Sequence, residues 1–147
     1  MKKTLSYRLF RLGSIPRKLR PLIEAEGVLV ADEGIRGRLV MGRVRGPGRR
    51  HYGRVEGFSG CLVVTRERIL AYSYGKRQIN IGRDDPRLAE LYVRLASPEW
   101  LTISFEASAF REGWVGVMEF RFRTNQAPRF HEVLVSAGAS QGRAPGA

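Results

Sequence analysis

The stretch from residue 60 to residue 74, GCLVVTRERILAYSY, restricts the fold more than any other part of the chain. Two apolar runs of strand length, residues 61–65 and 69–74, flank the polar joint Arg66, Glu67 and Arg68. Such a pattern reads as a β-hairpin. Side chains alternate along a strand, so Leu62 and Val64 face one way while Cys61 and Val63 face the other. In the second run Leu70, Tyr72 and Tyr74 oppose Ile69, Ala71 and Ser73. Neither run is cleanly amphipathic, which places both in the middle of a sheet.

Two further strands carry the opposite signature. In residues 101–107, Leu101, Ile103 and Phe105 alternate with Thr102, Ser104 and Glu106. In residues 115–123, Met118, Phe120 and Phe122 alternate with Glu119, Arg121 and Arg123. That is the pattern of antiparallel sheet with one buried and one wet face. Between them, residues 108–114 form a connection with aromatic content from Phe110 and Trp114. Shorter strands are expected at 28–31, 35–44 and 77–81, with a turn at Asp32, Glu33 and Gly34. Residues 87–96 read as a turn and then a strand, after the break at Asp84, Asp85 and Pro86.

Helices are expected at the two ends. Ile15, Leu19, Leu22 and Ile23 share a helical face in residues 14–26, and Pro21 makes that helix kinked or two-piece before Gly27. Near the C-terminus, Ala127, Phe130, Leu134 and Ala137 form a second face, with Thr124 or Asn125 as cap, Pro128 in the first turn and Gly138 as terminator. Residues 1–13 read as a basic arm, or as a short amphipathic turn, and residues 139–147 as a disordered tail. Residues 14–138 then make one domain. With 43% apolar residues in 147, that domain can build its core without a staple. The lone Cys61 reads as a small buried residue in a reducing compartment.

Seven short strands between two helices bury one face best by curling into a small barrel that the last helix plugs. This layout, with residues 60–81, GCLVVTRERILAYSYGKRQINI, resembles the bacterial pleckstrin-homology-like (PH-like, GRAM-like) domains. The residues that carry the likeness are Val63, Val64 and Thr65, then Arg68, Ile69 and Leu70, preceded by Ile15, Pro16, Leu19, Glu26, Gly27, Asp32, Glu33 and Gly34. The resemblance implies a fold that is mainly β with α. It would be a PH-like barrel of about seven antiparallel strands capped by a C-terminal helix, with an N-terminal helix ahead of it. It also implies a module that binds lipid head groups or proteins rather than an enzyme.

Charge narrows the partner. The net charge is +12, and residues 1–54 hold 14 Lys or Arg against 4 acids. A field of that sign attracts polyanions. The segment RGPGRRHYGR, residues 45–54, reads as an exposed Gly-rich loop. With Arg43 it offers Arg45, Arg49, Arg50 and Arg54, and Tyr52 at the interface, as a candidate site for an anionic ligand. The ligand classes are an anionic membrane surface or an acidic protein. Protein interaction or self-association through sheet edges and the last helix is the alternative reading. Nucleic acid ranks last, because the strands show no exposed aromatic stacking row. No metal, cofactor or catalytic constellation is expected: His51 and His131 stand alone, and no phosphate-loop, dinucleotide or nucleophile-elbow motif occurs. No apolar run approaches the ~20 residues of a membrane helix. Arg8 and Arg11 interrupt the only stretch that resembles a signal peptide. The expected location is therefore the cytoplasm, with peripheral membrane contact as the second option.

Overall fold

A computed structural model describes residues 2–147. Eight strands form one curled sheet, a half-barrel, in the order β4-β3-β2-β1-β7-β6-β5-β8. In chain order these are β1 (Val28–Gly46), β2 (Arg49–Thr65), β3 (Arg68–Ser73), β4 (Lys76–Gly82), β5 (Tyr92–Ser97), β6 (Trp100–Glu106), β7 (Val117–Arg123) and β8 (Ser140–Gln141). The helices are α1 (Leu5–Phe10), α2 (Arg20–Glu26) and α3 (Ala127–Ala137), with short 3-10 turns at Arg17–Leu19, Pro86–Glu90 and Ala107–Ala109. All strand neighbours are antiparallel except β5 and β8.

The central hairpin explains its own composition. Leu62, Val64, Ile69 and Ala71 belong to the main core inside the curl, with Phe105, Phe120, Phe122 and Phe130. Cys61, Val63, Leu70 and Tyr72 belong to a second core on the outer face. Ile23, Ile15 and Leu19, from α2 and the turn before it, cover that outer face. The sheet is thus sandwiched where the sequence has no polar face. From the C-terminal end, α3 buries Ala127, Phe130, Val133 and Leu134 in the main core. Gly138 ends it at φ +123°, a conformation that favours glycine.

Several expectations need correction. The sheet has eight strands and is an open half-barrel, because the tail supplies β8 at the edge of β5. The tail of residues 139–147, expected to be disordered, crosses the supposedly wet face of β6 and β7. There Ala144 N–H donates to Ser104 Oγ at 2.9 Å, and Arg143 pairs with Glu119 at 3.1 Å. Ser104 and Glu119, which the tail meets, are buried, and Thr102 on the same strand as Ser104 is buried too. Residues 32–34 are not a turn. They are a bulge inside a single 19-residue β1, with the register shift between Glu33 and Ile35 and Gly34 at φ +65°. The acids that suggested a turn are anchors instead: Asp32 takes Lys3 and Thr124, and Glu33 takes Tyr7, Arg20 and the N–H of Ile15. Thr124, expected to cap α3, donates to Asp32 and accepts from Gln126 N–H. Of the two readings of the N-terminal segment, an arm or a short turn, the structure has the second: it contains the short helix α1, capped by Thr4.

Candidate functional site

Residues 45–54, expected as a loop, form the tip of the β1–β2 hairpin, which turns at Pro47 and Gly48. Both faces of the tip are wet, so no apolar period marks its strands. The backbone pairs Arg43 with Tyr52, Val44 with His51, and Arg45 with Arg50. Directly opposed residues share a face, so Arg43, Arg45, Arg50 and Tyr52 line one side of the hairpin. Arg45 and Arg50 sit there as like charges across the strands, with no acid in ion-pair range among the described residues.

Arg49 and Arg54 lie on the other side. Met41 and Val44 are both buried although three residues apart, which strict alternation does not allow. The exchange of faces falls at Gly42 and Gly53, where the ladder pairing is interrupted and Gly53 takes φ +56°. Beyond that point Arg49 and His51 turn inward with Arg54. The six expected site residues are therefore divided between the two faces of the hairpin.

The inward side opens into a cleft of about 330 Å³ at the mouth of the half-barrel. Three connections wall it. The hairpin gives Arg49, His51 and Arg54; the β3–β4 turn gives Tyr74 and Lys76; the β6–β7 connection gives Arg111 and Trp114. Leu39, Met41 and Phe58 contribute apolar surface. Tyr74 and Gly75 both have positive φ, the geometry of a tight two-residue hairpin turn. A tyrosine in that region carries strain of about 1–3 kcal/mol, which the surrounding structure must hold.

Trp114 organises this end. Val115 and Arg45 exchange backbone hydrogen bonds at 2.8 and 2.9 Å, which docks the β6–β7 connection on β1. The Trp114 ring then lies against Gly46, where a Cβ would come within 2.3 Å of it. His51 stacks on Trp114 at a centroid distance of 6.2 Å and an interplanar angle of 8°. The Arg111 guanidinium sits over the Trp114 ring at 5.6 Å. Phe110, beside Arg111, is held edge-on against the buried Phe105 at 4.8 Å.

The charges in the cleft do not balance. Arg49, Arg54, Lys76 and Arg111 face a single lining acid, Glu56. That acid is engaged by Arg54 at 2.5 Å, and Arg54 also contacts Nδ1 of His51 at 3.1 Å. The Arg111 guanidinium is partly buried and, among the described residues, bonds only to the neutral Gln78. Burial pulls its pKa below the usual guanidinium value, and the charge of Glu56 offsets this in part. A partly desolvated cation with no carboxylate partner is costly unless an anion meets it.

Arg111, Trp114, Lys76 and Tyr74 were not among the residues expected from the sequence. Phe110 and Trp114 in one short connection were the available signal, but nothing local says which strand end that connection meets. Among the described residues, no group of three or more His, Cys, Asp or Glu side chains is placed to hold a metal ion. Comparison with protein-family models and with curated proteins finds no match to this chain.

Proposed function

We propose that this protein is a non-catalytic binding module that takes a phosphate-bearing anion into the cleft at the mouth of the half-barrel. The observation that carries this reading is Arg111, partly buried, without an acid partner, and facing Arg49 and Lys76 across the opening. Arginine forks match phosphate oxygens in bidentate fashion, and Lys76 adds a mobile point charge. The apolar floor strengthens each contact by lowering the local dielectric. The resemblance to PH-like domains supports the same reading, since phosphoinositide-binding eukaryotic members use a basic first hairpin loop. Arg43, Arg45, Arg50 and Tyr52, on the far side of the hairpin, add long-range field rather than direct contact.

The test is a titration of the full chain with inositol hexakisphosphate, and separately with inorganic phosphate, followed by tryptophan fluorescence. Saturable binding that weakens as salt is raised, and that is lost in Arg49→Ala with Arg111→Met, is expected. No saturation by either probe at low salt, or a duplex DNA competitor that binds tighter than both, refutes the reading.

A further inference from the structure

The N-terminal helix α1 is inside out. A surface helix normally turns its apolar stripe to the core and its polar side to water. In α1 no side chain is buried, and Leu5, Leu9 and Phe10 are 68%, 64% and 73% exposed. Leu12, just beyond it, is exposed as well. The contacts that hold this segment are almost all polar. Thr4 N–H donates to Gly34 O at 2.9 Å, and Gly34 N–H donates to Gly13 O at 3.0 Å. Ser59 Oγ meets Thr4 Oγ1 at 2.5 Å and donates to Leu12 O at 2.9 Å. Tyr7 OH donates to Glu33 at 2.7 Å, with its ring against Gly34. Both ends of the segment are therefore fastened to β1 and β2, and the leucines and the phenylalanine are held outward.

The charge around this patch is mostly positive. Residues 1–23 contain seven Lys or Arg and no acid, and Glu99, which lines the groove beside Lys2, Leu5 and Arg8, is paired with Arg123. Lys3 and Arg20 are paired with Asp32 and Glu33. Lys2, Arg8, Arg11, Arg17 and Lys18 have no acid in ion-pair range among the described residues. A second copy of the chain would bring the same positive patch, so self-association through α1 meets repulsion. An anionic bilayer answers both features: acyl chains for the apolar residues, and phosphate or carboxylate head groups for the ring of cations. A six-residue helix is about 9 Å long and can lie in the interface but not cross it.

We propose that α1 is an interfacial anchor that seats the protein on anionic lipid through Leu5, Leu9 and Phe10, with Lys2, Arg8 and Arg11 on the head groups. This anchor is independent of the cleft: it contacts bilayer, not a single bound anion. The experiment is cosedimentation of the full chain with vesicles of phosphatidylcholine containing about 30% phosphatidylserine, and with phosphatidylcholine alone. Binding to the anionic vesicles only is expected. Leu9→Ser with Phe10→Ser lowers partition at least about tenfold, and Lys2→Gln with Arg8→Gln lowers it on anionic vesicles. All four positions are exposed, so the variants keep the wild-type melting temperature. Inositol hexakisphosphate binding stays unchanged in the Leu9 and Phe10 variant, which separates failure of the anchor from failure of the cleft. Three results overturn the proposal. One is no vesicle binding by the wild type. Another is equal binding by the Leu9 and Phe10 variant, with loss only in Arg111→Met. The last is a dimer in solution that the Leu9 and Phe10 variant dissolves.

Discussion

Replacing Arg111 by methionine should move binding and stability in different ways. In the folded protein the guanidinium is partly buried, lies over Trp114, bonds to Gln78 and has no acid partner. Methionine keeps the length of the side chain and its packing on the ring. The losses are a cation–π contact of about 0.5–1 kcal/mol and a hydrogen bond of about 1 kcal/mol. Against them stand relief of an unpaired, partly desolvated charge and less repulsion from Arg49, Arg54 and Lys76. Even a buried ion pair can often be replaced by apolar side chains at no cost, and this half-buried cation has no acid partner to lose. The net change should lie within about 1 kcal/mol of zero, or roughly 2–4 °C in Tm for a chain of this length. Binding of inositol hexakisphosphate should instead fall steeply. A charge-assisted hydrogen bond contributes about 1.5–3 kcal/mol, or about 10- to 150-fold in Kd. Scanning calorimetry and isothermal titration at ~0.1 M salt give both readouts, with Arg94→Met as the control. Arg94 is exposed on β5 and carries the same charge. A Tm drop of about 10 °C or more would mean that Arg111 holds the fold. Unchanged binding, or an equal loss in Arg94→Met, would mean that only net charge matters. Either result refutes the reasoning.

Three other outcomes can be checked directly. Burial, with the charge of Glu33 adding to it, pushes the Cys61 thiol up to about 12. Cys61 should therefore resist a thiol reagent near pH ~8 in the folded protein and react only at the rate of unfolding, as read by mass spectrometry across a urea series. Burial pushes the Glu33 carboxyl up, but the hydroxyl of Tyr7, the N–H of Ile15 and Arg20 outweigh it and hold the group below its ordinary 4.5. Its contribution is full above 4.5 and is lost as the pH falls through the lower folded value. Tm should thus drop more steeply between about pH 6 and pH 3 in the wild type than in Glu33→Gln. Deleting residues 140–147 removes the Arg143 partner of Glu119 and the N–H that meets Ser104, and uncovers both. Stability should fall by about 2–4 kcal/mol in urea unfolding, since a buried carboxylate loses one of its two cations and a buried hydroxyl loses a donor.

The fold was legible wherever burial dictated the residues. The hairpin of β2 and β3 reads as mid-sheet without a clean amphipathic face, and the structure gives the reason: it is covered by the main core under Leu62 and Ile69 and by α2 over Val63 and Leu70. The α3 face of Ala127, Phe130 and Leu134 reads correctly for the same reason. The failures share another cause. At Asp32 and Glu33 the acids read as turn residues, yet their partners Lys3, Tyr7 and Thr124 are 26 to 92 residues away. The tail reads as disordered because Ser140, Gln141 and Gly142 carry no apolar signal. Its order comes from the main chain: Ser140 N–H donates to Leu91 O and Gly142 N–H donates to Val93 O. Such bonds depend on a free sheet edge, which local composition does not report.

The site was the least legible part, and the reason lies in two glycines. Counting along β2 by twos puts Arg50, Tyr52 and Arg54 on one face, which would gather most of the expected arginines into a single cluster. Gly53, at φ +56°, breaks that count. Arg54 joins His51 and Glu56 on the inner side, while Tyr52 and Arg50 stay outside with Arg43 and Arg45. The charge surplus is thus shared between a convex basic face and a concave cleft. Only the cleft combines cations with apolar walls, an aromatic platform and partial exclusion of water. Pockets of that kind convert charge into selective affinity, whereas a convex face in water is screened within about 10 Å. The physical difference between the two groups of arginines is therefore set where the hairpin exchanges faces at Gly42 and Gly53, which is why neither charge counting nor periodicity separates them.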